Sequence, residues 1–222
     1  MLRLYDARTG RLDELPRARF LRVHVGGLDL RSQVLGDVVR RLVERHRRQV
    51  LLTASGGRDL TPLNIPPTDQ DAPGEADLYV GQGPGRLMEV SPTTVEPTLT
   101  RVAEQGLDPL SLRLAALEHP YREPLELGSR QVEEADRELR RLRESVAGWA
   151  EQPSKAMHDG FRAELMEALD SDLNTPAALG VMRRLAAAEI APGSKFETFS
   201  YFDMVLALDL VREVGRSRPA SR

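Results

Sequence analysis

Apolar positions divide the chain into two halves with different periods. Phe20 to Val25, FLRVHV, is β-branched and apolar enough for a strand, and the Gly26-Gly27 pair after it permits a tight turn. Val34, Leu35, Val38, Val39, Leu42 and Val43 then recur at helical spacing, with Arg40, Arg41, Glu44, Arg45, Arg47 and Arg48 between and after them. Gln49 to Thr53, QVLLT, reads as a second strand, so the order strand, helix, strand suits one parallel βαβ crossover. DLYV (77–80) and RLMEV (86–90) predict two short strands around the glycine-rich turn GQGPG.

Beyond Pro97 the period becomes helical. Helices are expected at 98–105, over the leucine-rich stretch 110–117, and from Gln131 to Trp149, where apolar residues alternate steps of three and four. Further helices are expected around Phe161 to Leu169, from the Thr175-Pro176 start to about Ala188, and from about Thr198 to Val214. The fold class is α/β plus all-α: a reduced Rossmann-like lobe over 1–95, a helical bundle over 96–215 and a frayed tail over 216–222. Residues 54–76, rich in Gly, Pro, Asp, Asn and Thr, predict a long loop.

Composition narrows the chemistry. Hydrophobic residues make up 41% of the 222, enough for a real core, while a net charge of −3 disfavours coating nucleic acid by bulk electrostatics. No apolar run approaches the roughly 20 residues that span a bilayer, and the N-terminus carries charges where a signal peptide is apolar, so the expectation is a soluble cytoplasmic protein. There is no cysteine, which removes thiolate nucleophiles and thiolate metal ligands. Lys155 and Lys195 are the only lysines, so point-charge phosphate contacts are scarce.

Two stretches carry a family resemblance. Gly106 to Leu127, GLDPLSLRLAALEHPYREPLEL, resembles the segment that opens the helical domain of cysteinyl-tRNA synthetases, and Ala168 to Met182, ALDSDLNTPAALGVM, is similar to their Asp-Asp-Leu-Asn-Thr-Pro helix start. The opening LRLYDARTGRLDEL and the VHVGG strand resemble the family's first strands. The resemblance implies a class I nucleotide fold and an anticodon-binding type of helical domain, with a catalytic half that carries large deletions. It also leaves out the C-terminal module that reads the anticodon.

The departures from the family pattern concern its chemistry. The family's first zinc cysteine falls where this chain has Gly26, and His24, His46, His119 and His158 are scattered, so zinc is expected to be absent. The His-Ile-Gly-His motif has no histidine here, with Gly36-Asp37 as its trace, and the Lys-Met-Ser-Lys-Ser loop corresponds to RLMEVSP, which keeps Arg86, Met88 and Ser91 but has Glu89 and no lysine. ATP binding is therefore disfavoured, and no catalytic residue is assigned. Gly26, Gly27, Gly36, Asp37, Arg86 and Ser91 are the remnant of an ATP site; Arg40, Arg41, Arg45 and Arg48 are candidate RNA contacts.

Three functions stay open at this point. The first is a synthetase-derived, non-aminoacylating binding or assembly module with a protein partner or as a homo-oligomer. The second is a residual cysteine- or ATP-dependent ligase or nucleotide binder completed by a partner. The third is a tRNA or RNA binder.

Overall fold

The computed structural model describes residues 1–56, 58–68, 75–95 and 97–216. A hairpin of β1 (Arg3–Asp6) and β2 (Arg11–Glu14) opens the chain. Next comes β3 (Phe20–Val25), which buries alternate residues Leu21, Val23 and Val25 against α1 (Leu30–Arg45). The buried stripe of α1 includes all six apolar positions of its sequence pattern. The chain returns as β4 (Gln49–Ala54), parallel to β3 from Phe20↔Gln49 to Val25↔Ala54. β5 (Leu78–Val80) and β6 (Leu87–Met88) complete an all-parallel sheet in the order β4-β3-β5-β6. A single 3₁₀ turn, Thr61–Leu63, lies in the long 54–76 segment, of which 57 and 69–74 fall outside the described residues.

The glycine-rich run departs from a hairpin. β5 and β6 are parallel, with Tyr79 opposite Leu87 and Val80 opposite Met88, although only residues 81–86 connect them. Parallel neighbours ordinarily need a crossover of about a dozen residues. Here the chain doubles back across the Tyr79 ring. A β-carbon at Gly83 would lie 2.1 Å from Tyr79 Cδ1, and one at Gly85 2.6 Å from Cε2, so only glycine lets the backbone pass this close.

The helical part contains α2 (Leu99–Glu104), α3 (Leu110–Leu117), α4 (Ser129–Ala150), α5 (Asp159–Asp170), α6 (Thr175–Ala187) and α7 (Pro192–Leu206). Asn174 caps α6 by accepting the Ala177 N–H at 3.1 Å, and Pro176 sits in its first turn. The last helix runs earlier than its sequence pattern suggests and stops at Leu206 rather than Val214. Both Asp203 carboxylate oxygens accept backbone N–H groups, of Leu208 at 2.7 Å and Leu210 at 2.8 Å, which turns the chain out of the helix through Ala207 at φ 52°. Of the expected tail, residues 217–222 lie outside the described residues.

One buried apolar cluster runs through both parts. β7 (Thr93–Val95) and β8 (Leu125–Leu127) form a parallel pair across the division at residue 95, which periodicity did not reveal. Two fully buried arginines reach across it in opposite directions. Arg31 of α1 donates to the carbonyls of Glu123 at 2.6 Å, His119 at 3.1 Å and Pro120. Arg113 of α3 donates to Asp37 Oδ2 at 2.7 Å, Leu206 O at 2.7 Å and Leu63 O at 3.0 Å. The two stretches that carry the resemblance also touch, for Tyr121 Oη donates to Asp172 Oδ1 at 2.5 Å, and Asp172 holds the Tyr5 N–H of the hairpin at 2.8 Å.

Candidate functional site

In open parallel sheets, ligands bind beyond the carboxyl ends of the strands, at the point where successive connections leave a strand in opposite directions. That strand here is β3, with β4 on one side and β5 on the other. Its carboxyl end is Val25-Gly26-Gly27, facing the start of α1, and this crevice is the candidate site.

Backbone fills it. The Gly26 N–H donates to Val80 O at 3.0 Å, and a β-carbon added at Gly26 would stand 2.0 Å from the Gln82 carbonyl oxygen. The 81–86 return therefore lies against the strand end. Gly27 is pressed in the same way, its β-carbon position 2.6 Å from Ser32 Oγ and 2.8 Å from Asp29 Oδ2. The amino end of α1, a natural anion site, is occupied from within: Asp29 Oδ1 accepts the Ser32 N–H at 2.9 Å, Oδ2 accepts Ser32 Oγ–H at 2.5 Å, and Gln33 Nε2 donates to Gly27 O at 2.8 Å. A hollow alongside, bordered by Leu28, Gln33, Ser55 and Ile65, measures about 20 Å³, room for about one water.

The remnant residues do not gather at one place. Gly26 and Gly27 form the crevice wall. Gly36 is buried on α1, where a β-carbon would stand 2.3 Å from Val25 Cγ2, so it sets the close approach of helix to sheet. Asp37 is fully buried and accepts from Arg40 at 2.7 Å, Arg41 at 2.8 Å and Arg113 at 2.7 Å. Burial pushes its carboxyl up, but Arg113 and Arg41 outweigh burial and hold it below the usual carboxylate range. Arg86 donates to Glu14 O at 2.8 Å, and Ser91 Oγ donates to Arg122 O at 2.7 Å.

The candidate RNA contacts are engaged within the fold to different degrees. Arg40 bonds Asp37 and Glu44, and Arg41 bonds Asp37 and Asn64 O at 2.8 Å. Arg45 is exposed with one nitrogen 2.9 Å from Met204 Sδ, and Arg48 donates to Ala18 O at 2.7 Å and Pro16 O at 2.5 Å. The histidines lie apart. His24 is half-buried between Thr53 Oγ1 (2.9 Å) and Ser55 Oγ (3.2 Å), and burial lowers its pKa; His46 meets Asp170 at 2.7 Å; His158 caps α5. Sequence reasoning missed Arg31, which shapes this end of the sheet. Its signal was a cation on the apolar stripe of α1, in helical step with Val34, Leu35 and Val38.

The sequence comparisons agree with this placement of the resemblance. No family model matches the chain. It is 34% identical over 113 residues, 50% of its length, to cysteine–tRNA ligase 1 of Burkholderia lata. The chain is cysteine–tRNA ligase-like. It is also 34% identical over 99 residues, 45% of its length, to the L-cysteine:1D-myo-inositol 2-amino-2-deoxy-alpha-D-glucopyranoside ligase of Streptomyces griseus, and 28% identical over 104 residues to the cysteine–tRNA ligase of Trichodesmium erythraeum. Each of the first two matches spans 23% of the relative's own length. Among the described residues no helix is long and apolar enough to cross a membrane.

Proposed function

We propose that this chain uses a cysteine-ligase-like scaffold to bind a partner and does not itself activate cysteine. The observation that carries this reading is the Gln82 carbonyl against Gly26. Adenylate formation needs a crevice in which a triphosphate and an amino acid meet, and here backbone occupies that volume at the switch point. The Asp29 carboxylate at the start of α1 adds negative charge where phosphate oxygens would be stabilised.

The family resemblance implies a zinc that selects the cysteine thiol, and the residues present do not suit it. Gly26 stands at the first ligand position, the chain has no sulfur ligand other than methionine, and among the described residues no three His, Cys, Asp or Glu side chains cluster as a metal site. No step is routed through zinc. The retained parts are those that hold the helical half together: the Tyr121–Asp172 contact, the Asn174 cap and the Arg113–Asp37 pair.

The test is cysteine-dependent exchange of pyrophosphate into ATP by the purified chain, alongside thermal melting with ATP, cysteine and a non-hydrolysable cysteinyl-adenylate analogue. The expected result is no exchange and no shift. A ligand bound at 100 times its Kd would add about 2.7 kcal/mol of stability. A saturable rise in Tm with the analogue, or measurable exchange, would replace this reading with that of a ligase.

A further inference from the structure

The end of the parallel sheet opposite the crevice carries a dense positive charge. Residues 16–20 and 45–49 together contain five arginines and no acidic residue, in a chain whose net charge is −3. The pairing of β3 with β4 brings these distant segments side by side: Gln49 N–H donates to Arg19 O at 2.9 Å, and the Arg48 guanidinium holds the carbonyls of Ala18 and Pro16. Arg17, Arg19, Arg45 and Arg47 are exposed, and Arg19 and Arg47 make no ion pair among the described residues. Phe20, beside them at the start of β3, is 46% exposed.

Arg47 stands where local chemistry favours another residue. α1 ends with the Arg47 N–H bonded to Glu44 O at 2.9 Å and the Arg48 N–H bonded to Val43 O at 3.4 Å, the paired bonds of a Schellman motif. Arg47 occupies its left-handed position at φ 58°, a place glycine takes without strain and a β-carbon does not. An exposed arginine there lowers fold stability, and what it supplies is a cation.

We infer that this end of the sheet docks a short acidic segment of a protein partner, with carboxylates on Arg17, Arg19 and Arg47 and an apolar side chain on Phe20. Arginine and aromatic side chains are the residue types that dominate binding at protein interfaces. The basic area is also short. Glu14 pairs with Arg17, Glu44 with Arg40, Asp77 with Arg22 and Asp170 with His46, so carboxylates border it on several sides. A long polyanion would run onto that border, whereas a segment of a few residues would not. The inference names a partner for the binding module and rests on that reading, but the two fail separately: pyrophosphate exchange reports on the crevice alone.

The test is fluorescence anisotropy with a labelled peptide of about a dozen residues alternating glutamate with leucine, titrated with the chain at low and high salt, and in parallel with an oligouridylate of the same length. Saturable peptide binding that weakens as salt rises is expected. Arg19→Glu with Arg47→Glu should weaken it about tenfold or more, and Phe20→Ser a few-fold. Arg47→Gly separates binding from folding, because it should weaken peptide binding while leaving Tm unchanged or raised. No saturable binding, binding indifferent to the charge reversal, or tighter binding of the oligouridylate than of the peptide would each overturn the inference.

Discussion

Replacing Arg113 with methionine tests whether the sheet and the helices form one cooperative unit. The side chain is fully buried and makes three hydrogen bonds, to Asp37, Leu206 O and Leu63 O. Removing one partner of a buried pair costs about 3–5 kcal/mol, because the other charge stays behind without compensation. Asp37 would keep Arg40 and Arg41, which argues for the lower end, but two carbonyls would lose a charged donor. The expected loss is about 3 kcal/mol, read by urea denaturation as a lower midpoint with an unchanged slope. Asp37 titrates below the unfolded carboxylate value of about 3.9 because Arg113 and Arg41 outweigh its burial. Its contribution is thus fully present above about pH 4 and is lost as pH falls through the folded value. The gap between the parent chain and Arg113→Met should therefore narrow below about pH 4. A loss under about 1 kcal/mol, or a gap that stays constant from neutral to acid, would refute the assignment of this pair as the joint between the two parts.

Three further outcomes follow from single contacts. Gly26→Ala should destabilise the chain by about 1–3 kcal/mol in urea, since its methyl would meet the Gln82 carbonyl; a neutral result would show that the 81–86 return yields easily. Tyr121→Phe should cost about 1 kcal/mol and loosen the N-terminal hairpin, seen as faster amide exchange at Tyr5, because Asp172 joins the two. Asn174→Ala should cost about 1 kcal/mol by removing the α6 cap, while Asn174→Ser should recover most of it.

The repeating elements could be read from sequence because their burial has a period. The alternation in Phe20 to Val25 and the six-residue stripe of α1 each face one surface, and α4 spans Ser129–Ala150 around the expected 131–149. What escaped reading depends on contacts across long separations. Asp37 follows a glycine in a segment that resembles a nucleotide motif, and nothing local shows that Arg113, 76 residues away, will bury it. The end of α7 was missed for a local reason: Asp203 offers its carboxylate to two backbone donors that a continuing helix would have used otherwise. GQGPG has the composition of a hairpin turn, but the partner of its glycines is the Tyr79 ring, which a turn propensity does not contain.

That return over Tyr79 makes the fate of the crevice a matter of connection length. The obstruction at Gly26 is main chain belonging to the shortest link in the sheet, so no trimming of side chains would open it. Lengthening the 81–86 segment would free Gln82 from the strand end and give β6 slack at once, coupling any new cavity to the register of an edge strand and, through the Ala7 N–H bonded to Leu87 O at 2.9 Å, to the N-terminal hairpin. An engineer seeking to restore a ligand cleft would have to redesign a loop, a strand pairing and a hairpin together.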